Sequence, residues 1–171
     1  MLKSLLDPCS IIRVQTWDCG ASAPSKVEQV VGTPWPQETG AVAKGRADIL
    51  CTGPSDWWVL TSDPDAIALK RQLEEVFDGS AFRATDLSQG LARFEIGGPE
   101  ARILLAKGCA LDLDAPRFPP GRCARTRLAG MPVILRCNQP STFELILASS
   151  YRDYLISWLT DAATEFSSTL A

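Results

Sequence analysis

Two arginines in the segment CARTRL, residues 123–128, are the side chains whose spacing most suggests binding chemistry. Arg125 and Arg127 are two residues apart on a predicted strand, so their side chains share one face, and Arg122 is nearby. Paired guanidinium groups can hold a carboxylate or a phosphate through parallel hydrogen bonds. A strand that faces solvent or a partner explains the same spacing and is the favoured interpretation. Arg125 and Arg127 are therefore candidate interface residues.

Two further motifs allow either a chemical or a structural role. The segment IGGPEA, residues 96–101, has the glycines of a tight strand-to-helix turn. It matches neither GxGxxG nor a phosphate-binding loop, because no GK[ST] follows, so a structural turn is favoured. Lys107 precedes Cys109 by two residues and could activate a thiolate. Gly108 between them is typical of a helix end, which favours a buried and inert Cys109.

The chain of 171 residues contains no histidine. This composition excludes Ser-His-Asp and Cys-His nucleophile arrangements and removes the imidazole ligands that protein-bound metals most often use. The remaining residues show no metal-ligand spacing and no convincing acid–base pair. We predict no catalytic, cofactor-binding or metal-binding residue on this chain, while an enzyme built from carboxylates, lysine or cysteine remains open.

Charge and hydropathy restrict the class of partner. The chain has 17 Lys and Arg against 20 Asp and Glu, a net charge of -3, and no run of like charges. Nucleic acids and anionic membranes bind clustered positive charge, so neither is predicted as a partner. The N-terminal MLKSLLDPCSII lacks the apolar core of a signal peptide, and no apolar stretch reaches about 18 residues. We expect a cytoplasmic protein whose six scattered cysteines are mostly reduced.

Hydrophobic periodicity predicts an α+β fold that positions these residues. Residues 20–46 are rich in Gly, Pro, Ser and Thr and are interpreted as an irregular segment around one short strand, Val27–Val31. We expect a first lobe, residues 1–80, that includes this segment, and a second lobe, residues 81–171, packed together as one compact unit. The segments with strand or helix periodicity are ADILCTG, DWWVLTS, LARFEIGG, CARTRL, MPVILRC and FELILA as strands, and DPDAIALKRQLEEVF, GGPEARILLAKG and SSYRDYLISWLTDAA as helices.

An internal repeat relates the two lobes. Residues 51–77 align without a gap on residues 137–163, and strand, turn, strand and helical leucines fall in one register. We interpret the two segments as related strand-turn-strand-helix units. The identical pairs are Cys51 and Cys137, Pro54 and Pro140, Ser55 and Ser141, Leu69 and Leu155, and Leu73 and Leu159.

Two neighbouring tryptophans, Trp57 and Trp58, lie on a predicted strand of the first repeat unit. Successive side chains of a strand point to opposite faces, so one core cannot hold both. The repeat aligns Trp57 with Phe143, which lies on an apolar strand face, and Trp58 with Glu144. We predict that Trp57 is buried and that Trp58 faces outward, where this chain or a partner covers it. Trp58 is therefore a third candidate interface residue.

The motifs of residues 46–163 together resemble the gamma subunit of heterotetrameric sarcosine oxidase. The most specific segments are GPSDWWVL, DLSQG, GGPEARILLAKGCALDL, FPPG, FEL and SYRDYL. That family is similar to the glycine-cleavage T-protein, the tetrahydrofolate-dependent aminomethyltransferase, whose lobes are built from strand-helix-strand units. The resemblance implies two small lobes with the T-protein folate-domain fold, and the internal repeat agrees with such a construction.

The resemblance also implies a partner assembly. An alpha subunit would carry NAD and a tetrahydrofolate site, a beta subunit would carry the flavins, FAD and FMN, and a small delta subunit would carry zinc. Flavin on beta would oxidatively demethylate sarcosine, and folate on alpha would capture the released one-carbon unit. The gamma chain would be a structural subunit without a cofactor. Two alternatives stay open: the corresponding subunit of an N-methylglutamate dehydrogenase-like complex, and a small independent folate-binding protein for one-carbon transfer.

Overall fold

The structure is a computed structural model that describes residues 2–6, 9–18, 23–62, 66–77 and 81–167. The chain forms two compact units, Pro8–Gln89, here the first unit, and Met1–Asp7 with Gly90–Ala171, here the second unit. Each unit contains a five-stranded antiparallel sheet with helices packed on one face. The α+β class predicted from the sequence is confirmed.

The secondary-structure elements of the described residues are as follows. The strands are β1 (Leu2–Leu5), β2 (Ser10–Asp18), β3 (Val42–Ala43), β4 (Asp48–Gly53), β5 (Asp56–Thr61), β6 (Ala81–Asp86), β7 (Leu91–Gly97), β8 (Cys123–Leu128), β9 (Met131–Gln139) and β10 (Thr142–Ala148). The helices are α1 (Ala23–Val31), α2 (Ala66–Val76), α3 (Ala101–Ala106), α4 (Arg152–Ala162) and α5 (Thr164–Ser167), with short 3-10 turns at Ser88–Gly90 and Ser149–Tyr151.

The sheet of the first unit has the strand order β3-β4-β5-β2-β6. Its core lies between this sheet and helices α1 and α2, and Leu73 and Phe77 of the α2 region are almost completely buried. The predicted strand Val27–Val31 is wrong, because these residues belong to α1. Val27 and Val31 are one helical turn apart and both buried, while Glu28 and Gln29 between them are exposed, which is the helical rather than the strand period.

The sheet of the second unit has the strand order β1-β7-β10-β9-β8. Helices α3 and α4 cover one face of it, because Leu104 and Leu105 of α3 and Leu155 and Leu159 of α4 are fully buried in the same core. Every second residue of these strands points toward the helices and supplies the rest of this core, as expected for a sheet covered by helices on that side.

The internal repeat is confirmed by the structure. Strands β4 and β5 and helix α2 occupy in the first unit the places that β9, β10 and α4 occupy in the second. The thiol of Cys51 lies 3.6 Å from the carbonyl oxygen of Gly53, and the thiol of Cys137 lies 3.1 Å from that of Gln139. The aligned cysteines therefore make the same local contact at the ends of equivalent strands, β4 and β9.

The division between the units differs from the predicted lobes 1–80 and 81–171. Strand β6, residues 81–86, pairs with β2 and completes the first sheet, whereas the N-terminal strand β1 pairs with β7 and completes the second. The two outer strands hold equivalent places in the two sheets, but one follows its unit in the chain and the other comes from the chain start. The boundary between the units falls at Gly90, and local sequence patterns carry no signal for this exchange of strands, so the sequence did not predict it.

Candidate functional site

Trp58 lies on the sheet face opposite Trp57, but only 7% of its surface is exposed. The sequence left open whether this chain or a partner covers Trp58, and the low exposure means that this chain covers most of it, so the side chain leaves little surface on which to anchor a partner. The strand alternation gave the correct face, but all six residues of β5 are buried, so both faces of this strand are covered by the chain itself. Among the described residues, the Trp58 indole Nε1 finds no hydrogen-bond acceptor although it is buried.

Trp57 belongs to the core of the first unit, as predicted. Its indole Nε1 donates to the carbonyl oxygen of Pro36 at 2.7 Å, and its ring centroid lies 5.0 Å from that of Trp35. Trp35 and Pro36 come from the proline-rich part of the segment interpreted as irregular. That segment therefore covers the inner tryptophan.

Arg125 and Arg127 are exposed on β8, an edge strand of the second sheet. They pair in register with Ile134 and Pro132 of β9, so their side chains lie on one face, as the spacing predicts. Arg127 donates to the carbonyl oxygen of Gly130 at 3.4 Å. The structure leaves both guanidinium groups in reach of a partner, and their interface role remains a prediction.

The glycine turn before α3 is structural. The amide of Gly98 donates to the carbonyl oxygen of Ser141 at 3.0 Å, and the amide of Ala101 donates to that of Gly98 at 3.1 Å. These donors are therefore already occupied, and α3 has only six residues. The turn does not fit a phosphate-bearing cofactor, because such a cofactor needs amides that point to it unpaired.

Cys109 is buried, and its Sγ lies 3.4 Å from the hydroxyl of Thr126. The Lys107 ammonium contacts other groups: it forms an ion pair with Glu165 at 2.6 Å and lies 4.6 Å from the ring centroid of Phe166. Activation of a thiol requires a cation beside it and access for the reagent. The arrangement favours a structural role for Cys109, in line with the sequence.

A buried ion cluster in the second unit was missed by the sequence analysis. The carboxylate of Glu144 is completely buried and accepts hydrogen bonds from Arg93 Nε and Arg136 Nε, each at 2.6 Å. The three residues lie on the neighbouring strands β7, β10 and β9, so the cluster joins the middle of the sheet. A buried carboxylate without such partners would be strongly destabilising. Arg136 lies directly opposite Glu144 in the β9-β10 hairpin, but Arg93 is 51 residues from Glu144 in the chain, so local spacing does not predict the complete cluster.

The first unit contains a related ion pair, which also joins two neighbouring strands. Arg13 of β2 binds Asp56 of β5 through two hydrogen bonds, Nε to Oδ1 at 3.0 Å and Nη2 to Oδ2 at 2.6 Å. The hydrogen bond to Asp56 raises the pKa of Arg13, while partial burial lowers it. Both units thus use arginine and a carboxylate to join neighbouring strands, and the geometry indicates structural support.

Several large apolar side chains of the described residues are exposed and are candidates for the partner-binding role predicted for Trp58. Trp17 of β2 is 68% exposed and lies where the register of β2 with β6 shifts between Thr16 and Asp18. Alternation in IIRVQTWD places Trp17 in phase with Arg13 but also with Ile11, which is buried, so the sequence alone does not predict that Trp17 is exposed. The other exposed large apolar residues of the described part are Leu5, Ile67, Ile103, Tyr151, Tyr154 and Ile156.

No group of three or more Cys, Asp or Glu side chains in the described part of the chain could hold a metal ion. Among the described helices, none is long and apolar enough to cross a membrane.

Comparison with protein families gives a match to one family model, described as sarcosine oxidase, gamma subunit family, over residues 17–165. The chain belongs to this family. A sarcosine oxidase gamma subunit from an Arthrobacter species is 30% identical over 152 residues, which are 87% of this chain and 73% of that protein. A gamma subunit from Corynebacterium sp. strain P-1 is 29% identical over the same shares.

Two solved structures have folds similar to that of this chain. A chain of heterotetrameric sarcosine oxidase from Corynebacterium sp. U-96 matches 99% of this chain and 86% of its own length, with a TM-score of 0.88 and 23% identity. Aminomethyltransferase T of the glycine cleavage system from Bartonella henselae matches 88% of this chain and 43% of its own length, with a TM-score of 0.61 and 12% identity. At these identities the likeness is one of fold, and it confirms the predicted T-protein-like fold.

The segment that contains the GGPEARILLAKGCALDL and FPPG motifs is organised by one side chain. Arg102 of α3 donates to the carbonyl oxygens of Leu113, Phe118 and Pro140. Its guanidinium carbon also lies 4.9 Å from the ring centroid of Phe143. The GGPEARILLAKGCALDL and FPPG motifs therefore belong to one local structure, in which the loop after α3 is tied to the β9-β10 hairpin.

Proposed function

We propose that this chain is the gamma-type subunit of a heterotetrameric, flavin-dependent complex of the sarcosine oxidase type, with alpha, beta and delta subunits as its partners. The observation that supports the proposal is the family match over residues 17–165 together with a fold similarity that extends over 99% of the chain. In this proposal the complex oxidatively demethylates sarcosine in the cytoplasm and transfers the one-carbon unit to tetrahydrofolate.

The chemistry of that reaction is assigned to the partner subunits. FAD, FMN, NAD, tetrahydrofolate and zinc would all be held there, and this chain would be non-catalytic. The state of its own candidate groups supports this division: the glycine-turn amides of Gly98 and Ala101 are occupied, and the Cys109 thiol is buried. Glu144, the carboxylate most strongly shielded from water in the described part, is saturated by two arginines.

The role left to this chain is to bind and support its partners. Trp17 offers a large exposed aromatic surface, which is typical of interface anchors. Arg125 and Arg127 offer two exposed guanidinium groups on an edge strand, suited to carboxylates of a partner. We assign these three residues to interfaces with the other subunits.

The experiment that tests the function is an omission assay. The alpha, beta and delta subunits of a sarcosine oxidase-type complex from the same organism are co-expressed with this chain and without it, and the yield of assembled complex, its flavin content and its turnover of sarcosine are measured. We expect the complete set to give an active flavoprotein and the omission to reduce assembly. N-methylglutamate, tested in parallel, distinguishes the related dehydrogenase-like complex. Full assembly and activity without this chain would contradict the proposal.

A charge reversal tests the proposed interface on β8. The double substitution Arg125→Glu and Arg127→Glu should weaken assembly, because exposed charges at an interface chiefly control the rate of association and its salt dependence. The matched control is Arg117→Glu, whose side chain is 78% exposed in the same unit. Equal retention of the double variant and the control would show that β8 does not belong to the interface.

A further inference from the structure

Strand β6 forms one edge of the first sheet and pairs, within the described residues, only with β2. Just after β6, the amide of Leu87 donates to the carbonyl oxygen of Ile11 at 2.9 Å, which fixes the alternation of the antiparallel ladder. Arg83 and Thr85 therefore also direct their backbone groups to β2. The alternate residues, which direct their N–H and C=O groups away from β2, are Phe82, Ala84 and Asp86.

These outward backbone groups form a row along the edge of the first sheet. None of them has a hydrogen-bond partner among the described residues. N–H and C=O groups that alternate along a sheet edge are what an additional strand pairs with. Strand β6 offers six residues for such pairing, whereas the edge strands β1 and β3 have only four and two. The edge at β6 is therefore long enough to hold a further strand.

The core of the first unit remains partly open at this edge. Phe82 and Ala84 lie on the sheet face that the helices cover and pack on that core, but both are only partly buried. The ring of Phe82 stacks on the ring of Phe77, which follows α2, and the two centroids lie 4.9 Å apart. Because the sheet ends at β6, an apolar side chain on an added strand would bury the apolar surface that Phe82 and Ala84 still expose.

The opposite face of β6 carries a positive charge. Arg83 is exposed, and its guanidinium has no hydrogen-bond or ion-pair partner among the described residues. Its neighbour in register on β2 is the uncharged Gln15. A carboxylate directly opposite Arg83 on an added strand would form a favourable cross-strand pair. Trp17, 68% exposed where β2 shifts its register near Ala81, adds apolar surface at the start of β6.

The two faces together specify the sequence pattern of an added strand. Successive side chains alternate between the faces, so residues beside Phe82 and Ala84 should be apolar, and the residue between them, opposite Arg83, should be acidic. A second copy of β6 does not have this pattern. The two antiparallel registers nearest the middle of the strand would place Arg83 opposite Arg83 or Phe82 opposite Asp86, and neither is a favourable pair. The edge therefore suits a different chain.

We propose that β6 binds an extended segment of a partner subunit, which adds a sixth strand to the first sheet. The backbone of this segment pairs with the outward groups of β6. Its apolar residues pack beside Phe82 and Ala84, and an Asp or Glu between them binds Arg83. The inference rests on the proposed function, because the partner is a subunit of the same complex. It gives that function a defined contact on the first unit and a sequence pattern for the partner.

The first test measures amide hydrogen exchange, residue by residue, in the isolated chain and in the assembled complex. The amides of Phe82 and Ala84 should exchange about tenfold more slowly, or slower still, in the complex because they gain acceptors there. The amides of Arg83 and Thr85 already bond to β2, so they should be protected in both states and serve as internal controls. Unchanged exchange at Phe82 and Ala84 in the complex would overturn the inference.

The second test removes one outward donor. Ala84→Pro deletes an N–H that points away from β2, and proline is tolerated at such positions of edge strands. Retention by the partner subunits should fall by about tenfold or more, because the pairing loses a hydrogen bond and the ring obstructs the added strand. Ala84→Ser, which keeps the N–H, is the matched control and should assemble normally. Normal retention of a folded Ala84→Pro variant would contradict strand addition.

A charge reversal decides the question even if Ala84→Pro does not fold. Arg83→Glu leaves the backbone intact and places like charges opposite each other, so retention should fall by about fivefold or more. The unfolding temperature of the isolated chain should not change, because the Arg83 guanidinium has no partner among the described residues. Arg71→Glu, on the exposed side of α2, is the matched control and should assemble normally. Equal retention of the two variants would overturn the acidic pairing and with it the inference.

The last test identifies the added segment in the reconstituted complex. A photo-crosslinking residue, introduced as Ala81→p-benzoylphenylalanine at the exposed start of β6, should capture a partner-subunit peptide in which apolar residues flank an Asp or Glu. Capture of a second copy of this chain, or of a partner peptide without that pattern, would overturn the inference. Failure of the unmodified chain to bind any partner subunit would refute the proposed function itself, before any variant is compared.

Discussion

The two adjacent tryptophans of β5 provide a matched pair of substitutions. Both indoles are almost completely buried, at 5% and 7% exposure, but only Trp57 has a hydrogen-bond acceptor, the carbonyl oxygen of Pro36 at 2.7 Å. The Trp58 Nε1 is buried without one among the described residues. Trp57→Phe therefore removes an indole N–H that has an acceptor, whereas Trp58→Phe removes one that has none.

The expected magnitudes follow from this difference. Each change removes part of a buried ring and leaves a cavity, at a cost of about 1–2 kcal/mol. Trp57→Phe also loses a hydrogen bond, which adds about 1 kcal/mol, whereas Trp58→Phe relieves the desolvation penalty of an unpaired donor, about 1–3 kcal/mol. We expect Trp57→Phe to lower the free energy of unfolding by about 2–3 kcal/mol and Trp58→Phe to lower it by no more than about 1 kcal/mol.

The assay is thermal unfolding of the isolated variants, followed by circular dichroism so that the loss of indole fluorescence does not interfere. For a chain of this length, 1 kcal/mol corresponds to roughly 2–4 °C, so the two variants should differ by roughly 4–8 °C. An equal decrease for the two variants would refute the reasoning, because it would mean that the Trp58 indole makes a stabilising polar contact. Trp58→Ala, by contrast, should destabilise the fold about as strongly as Trp57→Ala, since both lose a buried ring.

Three further perturbations have expected outcomes in the same unfolding assay. Glu144→Gln should cost about 3 kcal/mol or more, because two largely buried guanidinium groups lose their counter-charge, whereas Glu165→Gln, whose carboxylate is 57% exposed, should cost less than about 1 kcal/mol. Gly108→Ala should cost about 1–3 kcal/mol, since its Cβ would lie 2.6 Å from an indole carbon of α4, while Gly90→Ala, with open space around it, should be nearly neutral. Burial raises the pKa of the Cys51 thiol, so above about pH 9 the unfolded state loses this proton first; stability should fall there, and fall less in Cys51→Ala.

Local periodicity explains which parts of the fold were predictable from the sequence. The strand-turn-strand-helix units were found because Leu69 and Leu73, and their counterparts Leu155 and Leu159, keep a helical spacing after two alternating strands. Helix α1 was misassigned because its valines are β-branched, a composition typical of strands, although their spacing is helical. Spacing was the better guide in this segment.

Features that depend on distant parts of the chain were not predictable in the same way. The pairing of β1 with β7 and the ion pair of Arg93 with Glu144 join strands far apart in sequence. Trp58 was placed on the correct face, but alternation assigns a face and does not tell what covers it, so the sequence left open whether this chain or a partner does. The candidate surface changed accordingly from Trp58 to Trp17.

The central claim, that this chain is a non-catalytic subunit of a flavin-containing complex, is tested most directly by native mass spectrometry after affinity purification of the tagged chain from its own cells. The account predicts one assembly that contains this 18.5 kDa chain, larger flavin-bearing subunits and activity toward an N-methyl amino acid. Recovery of the chain alone, as a monomer or a homo-oligomer, from cells that make active enzyme would contradict it.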